Sequence, residues 1–176
     1  MKQFLVKSWP VLLLAVFVAS CGKEVSRNDD LSQYYIKCKI GTKDKTFNFM
    51  PAAIKQDLGG GVINYSVFGK VSNDPADMES LGFTIQLLIP FKPGTYKETD
   101  PTSDYSVGCL YNPNTTIPEY IFVNQGDDTN PLEITFTEVS STQLSGTFKG
   151  KLLLNNAGPK ADSAVISNGQ FKVRIQ

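Results

Sequence analysis

The chain has 176 residues, with 17 basic and 17 acidic side chains, one tryptophan and no histidine. That length suits a single domain able to bury about 70% of its unfolded surface. The missing imidazole excludes a Ser-His-Asp triad, histidine metal ligands and the commonest general base near neutral pH. Charges scattered without a basic stripe argue against nucleic acid as a partner.

Residues 1–20 read as a leader. Lys2 and Lys7 precede an apolar stretch over residues 11–18, followed by Ala19-Ser20-Cys21. A charged start, a short apolar middle and small residues before a cut are the layout of a secretory signal peptide. The apolar part is too short for a membrane span, which takes about 20 residues. Val18-Ala19-Ser20-Cys21 resembles the lipobox, in which a signal peptidase cuts before a cysteine whose thiol takes a diacylglycerol. That resemblance implies Cys21 as the lipidation site of a bacterial lipoprotein held to a membrane by acyl chains such as palmitate. Each buried CH₂ contributes about 0.8 kcal/mol, so two or three chains make the attachment effectively permanent. Gly22, where an aspartate would favour inner-membrane retention in enteric lipoproteins, points to the outer membrane. Loss of the leader takes away Trp9, Lys2 and Lys7, leaving fifteen basic residues against seventeen acidic ones.

Residues 21–33 are polar and aperiodic, the pattern of a flexible tether, with a coil reach of roughly 18–20 Å. From residue 34 onward, a single domain to residue 176, the dominant period is two. Tyr34, Ile36, Cys38 and Ile40 fall on one face, and residues 45–49 return as a partner strand after the turn at Gly41-Thr42-Lys43-Asp44. Further strands are expected at 62–68, 83–89, 105–111, 119–124, 132–139, 144–154 and 164–175, separated by breaks such as Gly59-Gly60-Gly61, Lys92-Pro93-Gly94 and Asn112-Pro113-Asn114. Residues 75–81 are expected to form two helical turns, with Asp74 as N-cap and Pro75 in the first turn. Residues 52–58 are a weaker helical candidate. These elements predict an all-β antiparallel sandwich of about eight or nine strands, with a lipocalin-like barrel as the alternative. Phe148, Leu152, Leu154, Ile166, Phe171, Val173 and Ile175 are the expected core at the C-terminal end.

Ser145-Gly146-Thr147-Phe148-Lys149-Gly150, followed by Ile166-Ser167-Asn168-Gly169-Gln170-Phe171-Lys172-Val173, resembles the closing strand pair of small Bacteroidetes β-sandwich lipoproteins. The hairpin over residues 34–49 and the Pro93-Gly94-Thr95-Tyr96 turn are similar to that group's layout. The resemblance spans most of the chain after the leader. It implies a sandwich-like envelope lipoprotein and carries no activity, since the group has none assigned. Gly22-Lys23-Glu24 and the later Asp29-Asp30 match part of the lysine-plus-acid surface-export tag of that phylum. Asp162-Ser163-Ala164 resembles its O-glycosylation acceptor, making Ser163, in a loop before the last strand, a candidate attachment site.

Alternation puts Cys38 and Cys109 on the apolar faces of their strands, Cys109 beside Val107 and Tyr105. They are either a disulfide, which an oxidising envelope permits, or two separate buried thiols. Asp74/Asp77/Glu79 and Asp127/Asp128 offer oxygen ligands for calcium but lack the EF-hand spacing, so solvated turns are the expectation, with no metal or other cofactor. Tyr96, Tyr105, Tyr111 and Tyr120 flank the loops over residues 92–118, where aromatic faces could stack on sugar rings. Three of them sit in expected strands, where core packing is the default. The expectation is a non-enzymatic, lipid-anchored binding or structural module. The alternatives are an accessory carbohydrate-binding lipoprotein of an uptake system, a module docking on an outer-membrane protein, and a small hydrolase using carboxylates.

Overall fold

The computed structural model describes residues 30–88, 90–98, 104–117, 120–126, 129–155 and 162–176. Ser32–Gln176 is a compact unit of its own. It is all-β, as expected, but with eleven strands. After a 3-10 turn at Leu31–Gln33 come β1 (Tyr35–Ile40), β2 (Lys43–Thr46), β3 (Phe49–Asp57), β4 (Ile63–Lys70) and β5 (Ser80–Leu87). The chain continues through β6 (Gly94–Lys97), β7 (Tyr105–Asn112), β8 (Phe122–Val123), β9 (Glu133–Val139), β10 (Gln143–Leu154) and β11 (Ser163–Ile175).

Hydrogen bonding links the strands in the order β2-β1-β11-β3-β4-β5-β7-β8-β10-β9-β6, and β10 also pairs with β11. That extra pairing folds the sheet into two layers, β2-β1-β11-β10-β9-β6 and β3-β4-β5-β7-β8. The layers are joined at one corner by the short parallel contact of Arg174 and Ile175 with Ala52 and Ala53. At the other corner Leu153 and Leu154 pair with Val123 and Phe122. The sandwich and the barrel thus meet in one object, a sandwich closed by hydrogen bonds along both corners.

The core lies between the layers. Phe83 of β5 packs on Phe171 of β11 with ring centroids 4.9 Å apart and on Phe148 of β10 at 5.4 Å. Phe136 of β9 meets Phe171 at 5.4 Å. Phe148, Leu152, Ile166, Phe171 and Val173 are buried as alternation predicts, while Leu154 and Ile175 are half-buried at the strand ends. Two glycines make room for the rings. A Cβ on Gly146 would sit 2.0 Å from the Thr135 carbonyl oxygen and 2.9 Å from Phe171 Cζ. One on Gly169 would sit 2.3 Å from the Phe148 carbonyl oxygen and 2.7 Å from its ring.

The structure corrects three local expectations. Residues 52–58 are not helical: β3 pairs with β4 from Phe49↔Lys70 to Asp57↔Ile63, and Ala52 and Ala53 are buried by sheet neighbours rather than by a helix face. Pro51, which has no N–H to give, sits in the irregularity between Phe49 and Ala52, where Met50 takes a positive φ of 50°. Residues 75–81 form a turn instead of a helix. Asp74 does cap it, accepting from Ala76 N at 2.8 Å, but Ser80 and Leu81 are already drawn into β5 opposite Lys70 and Gly69. Gly94-Thr95-Tyr96, expected as a turn, is edge strand β6 paired with β9.

Gly146→Ala should destabilise the fold by about 2–3 kcal/mol through overpacking against the β9 backbone. Urea unfolding of the variant beside the parent protein measures this, and an unchanged midpoint would refute the close packing described.

Candidate functional site

The outer surface of β3-β4-β5-β7-β8 is laid out by strand register. One row runs Ala52, Phe68, Gly82, Leu110, Val123 across all five strands. The next holds Ile54, Ser66, Thr84 and Gly108, and a third holds Gln56, Asn64, Gln86 and Ser106. Among the described residues of these strands, Lys70, at the end of β4, is the one charged side chain that alternation turns outward on this surface. An exposed antiparallel sheet ordinarily carries polar and charged residues on its solvent side.

The two central glycines lower the middle of the surface into a trough of about 410 Å³, walled by Phe68, Leu110 and Val123 and floored at Gly82 and Gly108. Phe68 is 37% and Leu110 42% exposed, so two large apolar side chains face water across an apolar floor. The third row borders this trough with amides. Asn64 is 6% exposed and donates through Nδ2 to Gln56 Oε1 at 3.2 Å and to Ser66 Oγ at 3.0 Å. Its Oδ1 is buried with no partner. An unmet buried acceptor costs about 1–3 kcal/mol.

Two carboxylates brace the corners beneath. Glu98, just after β6, accepts from Asn124 Nδ2 at 2.8 Å, from Gly126 N and from Leu132 N at 3.0 Å. Asn124 Oδ1 in turn accepts from Cys109 N, so Glu98 ties the loop after β8 to β7 and to the start of β9. Glu79 leads into β5, accepting from Tyr111 Oη at 2.6 Å and lying 2.7 Å from Lys45 Nζ of the opposite layer. Burial first, and the bond to Glu79 second, push the Tyr111 phenol well above its ordinary value. Both carboxylates are occupied in holding loops and layers together.

Of the residues expected to carry function, Cys21 and the pair Asp127/Asp128 lie outside the described residues. Ser163 is exposed and opens β11 opposite Leu153, so it is a strand residue and not the loop residue expected. Asp74 and Asp77 serve the turn, with Asp77 Oδ2 accepting from Ser72 Oγ, while Glu79 points inward; the three do not converge. Tyr96 and Tyr111 are core residues and Tyr105 packs edge-on against Tyr96 at 4.9 Å, which leaves Tyr120 as the exposed member of that set. Core packing, the default for tyrosines in strands, is what Tyr105 and Tyr111 show, while Tyr120, expected within a strand over 119–124, lies exposed ahead of β8.

Cys38 and Cys109 are both buried in the same core, with no bond between them in this structure. Disulfide formation begins with a thiolate. Burial, with Glu79 adding and Lys45 opposing, pushes the Cys38 thiol up to about 12. Burial also raises Cys109, with Cys38 the next contributor. The trough residues escaped the sequence reading because they bear no titratable group. Their signal was the lack of charge at alternate positions: Gly82, Thr84 and Gln86 in β5, and Ser106, Gly108 and Leu110 in β7.

Native protein should react with an aqueous thiol reagent at neither Cys38 nor Cys109, and denaturation without reductant should release both; release of none would restore the disulfide. The folded Cys38 thiol is raised above its ordinary value of 9.0, so its contribution to stability is complete below that pH and is lost as pH rises through about 12. Cys38→Ala should therefore shallow the alkaline fall in a stability–pH curve.

Comparison with protein-family models, with curated proteins and with solved structures finds no match to this chain.

Proposed function

We propose that this protein is a lipid-anchored, non-enzymatic binding module of the bacterial envelope, tethered through Cys21 and presenting the trough over β4, β5 and β7 to an uncharged ligand. The observation that carries the binding role is a sheet surface with an apolar trough, a single outward charge and an unmet buried amide beside it. A surface without charge gives up little hydration when covered, and its apolar walls gain by leaving water. Val18-Ala19-Ser20-Cys21 supports the anchor, and the resemblance to small envelope lipoproteins agrees with it. Mass spectrometry of protein from its native host should find a diacylglyceryl thioether on Cys21; a free thiol there, or an intact leader, would overturn the anchor.

A carbohydrate ligand is the second reading, favoured by Phe68 standing in the row next but one to the amides Gln56, Asn64 and Gln86. An aromatic ring can cover the apolar side of a sugar while amides exchange hydrogen bonds with its hydroxyls. A panel of neutral polysaccharides should retain the parent protein. Phe68→Ala and Leu110→Asp should each weaken retention at least tenfold without changing the unfolding free energy by more than about 1 kcal/mol, since both side chains are exposed. Equal retention of parent and variants would remove the trough from the reading.

A further inference from the structure

The opposite outer surface, that of β2-β1-β11-β10-β9-β6, has the reverse character. Alternation and register turn Lys37, Lys39, Lys97, Lys149, Lys151, Lys172 and Arg174 outward from it, against Asp44, Glu133 and Glu138. The excess is not spread evenly. Glu133 takes both Lys97, at 3.2 Å, and Lys149, at 3.4 Å. Burial pushes the Glu133 carboxyl up, but the two ammonium groups outweigh it and hold the carboxyl below its ordinary value, so each of these two lysines has a carboxylate beside it. Lys39 has Asp44 at 4.0 Å.

Lys37 and Lys172 have no such anion among the described residues. Lys37 Nζ lies 5.0 Å from the Tyr35 ring centroid, and Lys172 Nζ donates to Gln33 Oε1 at 3.1 Å. Tyr35 and Lys172 are register partners, as are Lys37 and Gln170, so these two cations are diagonal neighbours on one face, near where the chain enters the domain. Gln33, which holds Lys172, is twelve residues from Cys21. Even fully extended, that length spans no more than about 43 Å. Two cations without a carboxylate partner among the described residues therefore sit on the part of the domain closest along the chain to Cys21, the proposed anchor.

We infer that the β2-β1-β11-β10-β9-β6 surface, led by Lys37 and Lys172, docks on the phosphate-bearing headgroups of the membrane that holds the anchor, turning the uncharged trough on the opposite layer away from the lipid. The orientation depends on the anchor at Cys21; the attraction to headgroups does not. Basic residues beside an acyl anchor supply a second membrane signal, with a factor of about fivefold in partitioning for each lysine close to an anionic surface. Salt should weaken it, because these are exposed charges.

The test uses the chain from Gly22 onward, which keeps the compact unit Ser32–Gln176 and carries no lipid. It should cosediment with vesicles containing phosphatidylglycerol, release at high salt, and stay in solution with pure phosphatidylcholine. Lys37→Glu with Lys172→Glu should reduce binding by more than about twentyfold, and Lys37→Gln with Lys172→Gln by a smaller factor. Lys70→Glu, on the opposite layer, should leave it unchanged. Far-ultraviolet circular dichroism checks that the variants fold. Equal partitioning to both lipids, no binding to either, or an equal loss in Lys70→Glu would overturn the inference. None of these outcomes depends on acylation of Cys21, so failure here is distinct from failure of the anchor.

Discussion

Two absent methyl groups hold this structure together. Gly146 and Gly169 face the core from β10 and β11, and neither position has room for a Cβ. The space they leave is filled by the rings of Phe171 and Phe148, which then reach Phe83 in the opposite layer. Aromatic rings over strand glycines pin register, because sliding either strand by one residue would drive a side chain into the neighbouring backbone. β10 and β11 are also the strands that pair with members of the other layer at the two corners. Core packing and closure of the sandwich therefore depend on the same hairpin.

Closing a sandwich along its corners brings loops and polar groups into partly buried positions, where each must find a partner. Glu98 and Glu79 do that work at separate places. Glu98 gathers donors from Asn124, Gly126 and Leu132, and Glu79 joins Lys45 of one layer to Tyr111 of the other. A carboxylate can accept several N–H and O–H bonds at once, so one side chain satisfies a whole loop. The same saturation leaves neither carboxylate open to a substrate. Asn64 is the exception, a buried amide with an oxygen left over, and it lies on the outer surface that also carries the trough.

The two outer surfaces differ because the rules governing an exposed sheet are loose. Inward positions must be apolar and of the right volume, whereas outward positions tolerate many side chains. One layer has filled them with lysines and hydroxyls, the other with glycine, amides and a few apolar groups. Such a contrast is what the proposed docking on anionic headgroups would use.

Alternation in the order of residues was enough to determine the β class, the inward placement of Cys38, Cys109, Phe148, Ile166, Phe171 and Val173, and most of the strands, because a period of two is a local property of the chain. The leader-like pattern that ends at Cys21, on which the proposed anchor rests, is likewise local. Strand β3 was hidden because Ala52 to Leu58 has no strong alternation and becomes extended only by lying beside β4. β6 was hidden because four residues after a Pro-Gly pair read as a turn until β9 supplies their hydrogen bonds. The trough and the lysine surface are further from view still. Phe68, Gly82 and Leu110 come from three strands, and Lys37 and Lys172 are 135 residues apart in the chain. Charges that look scattered along the sequence become a surface only when antiparallel register sets them side by side, and register is decided by long-range pairing that no local window contains.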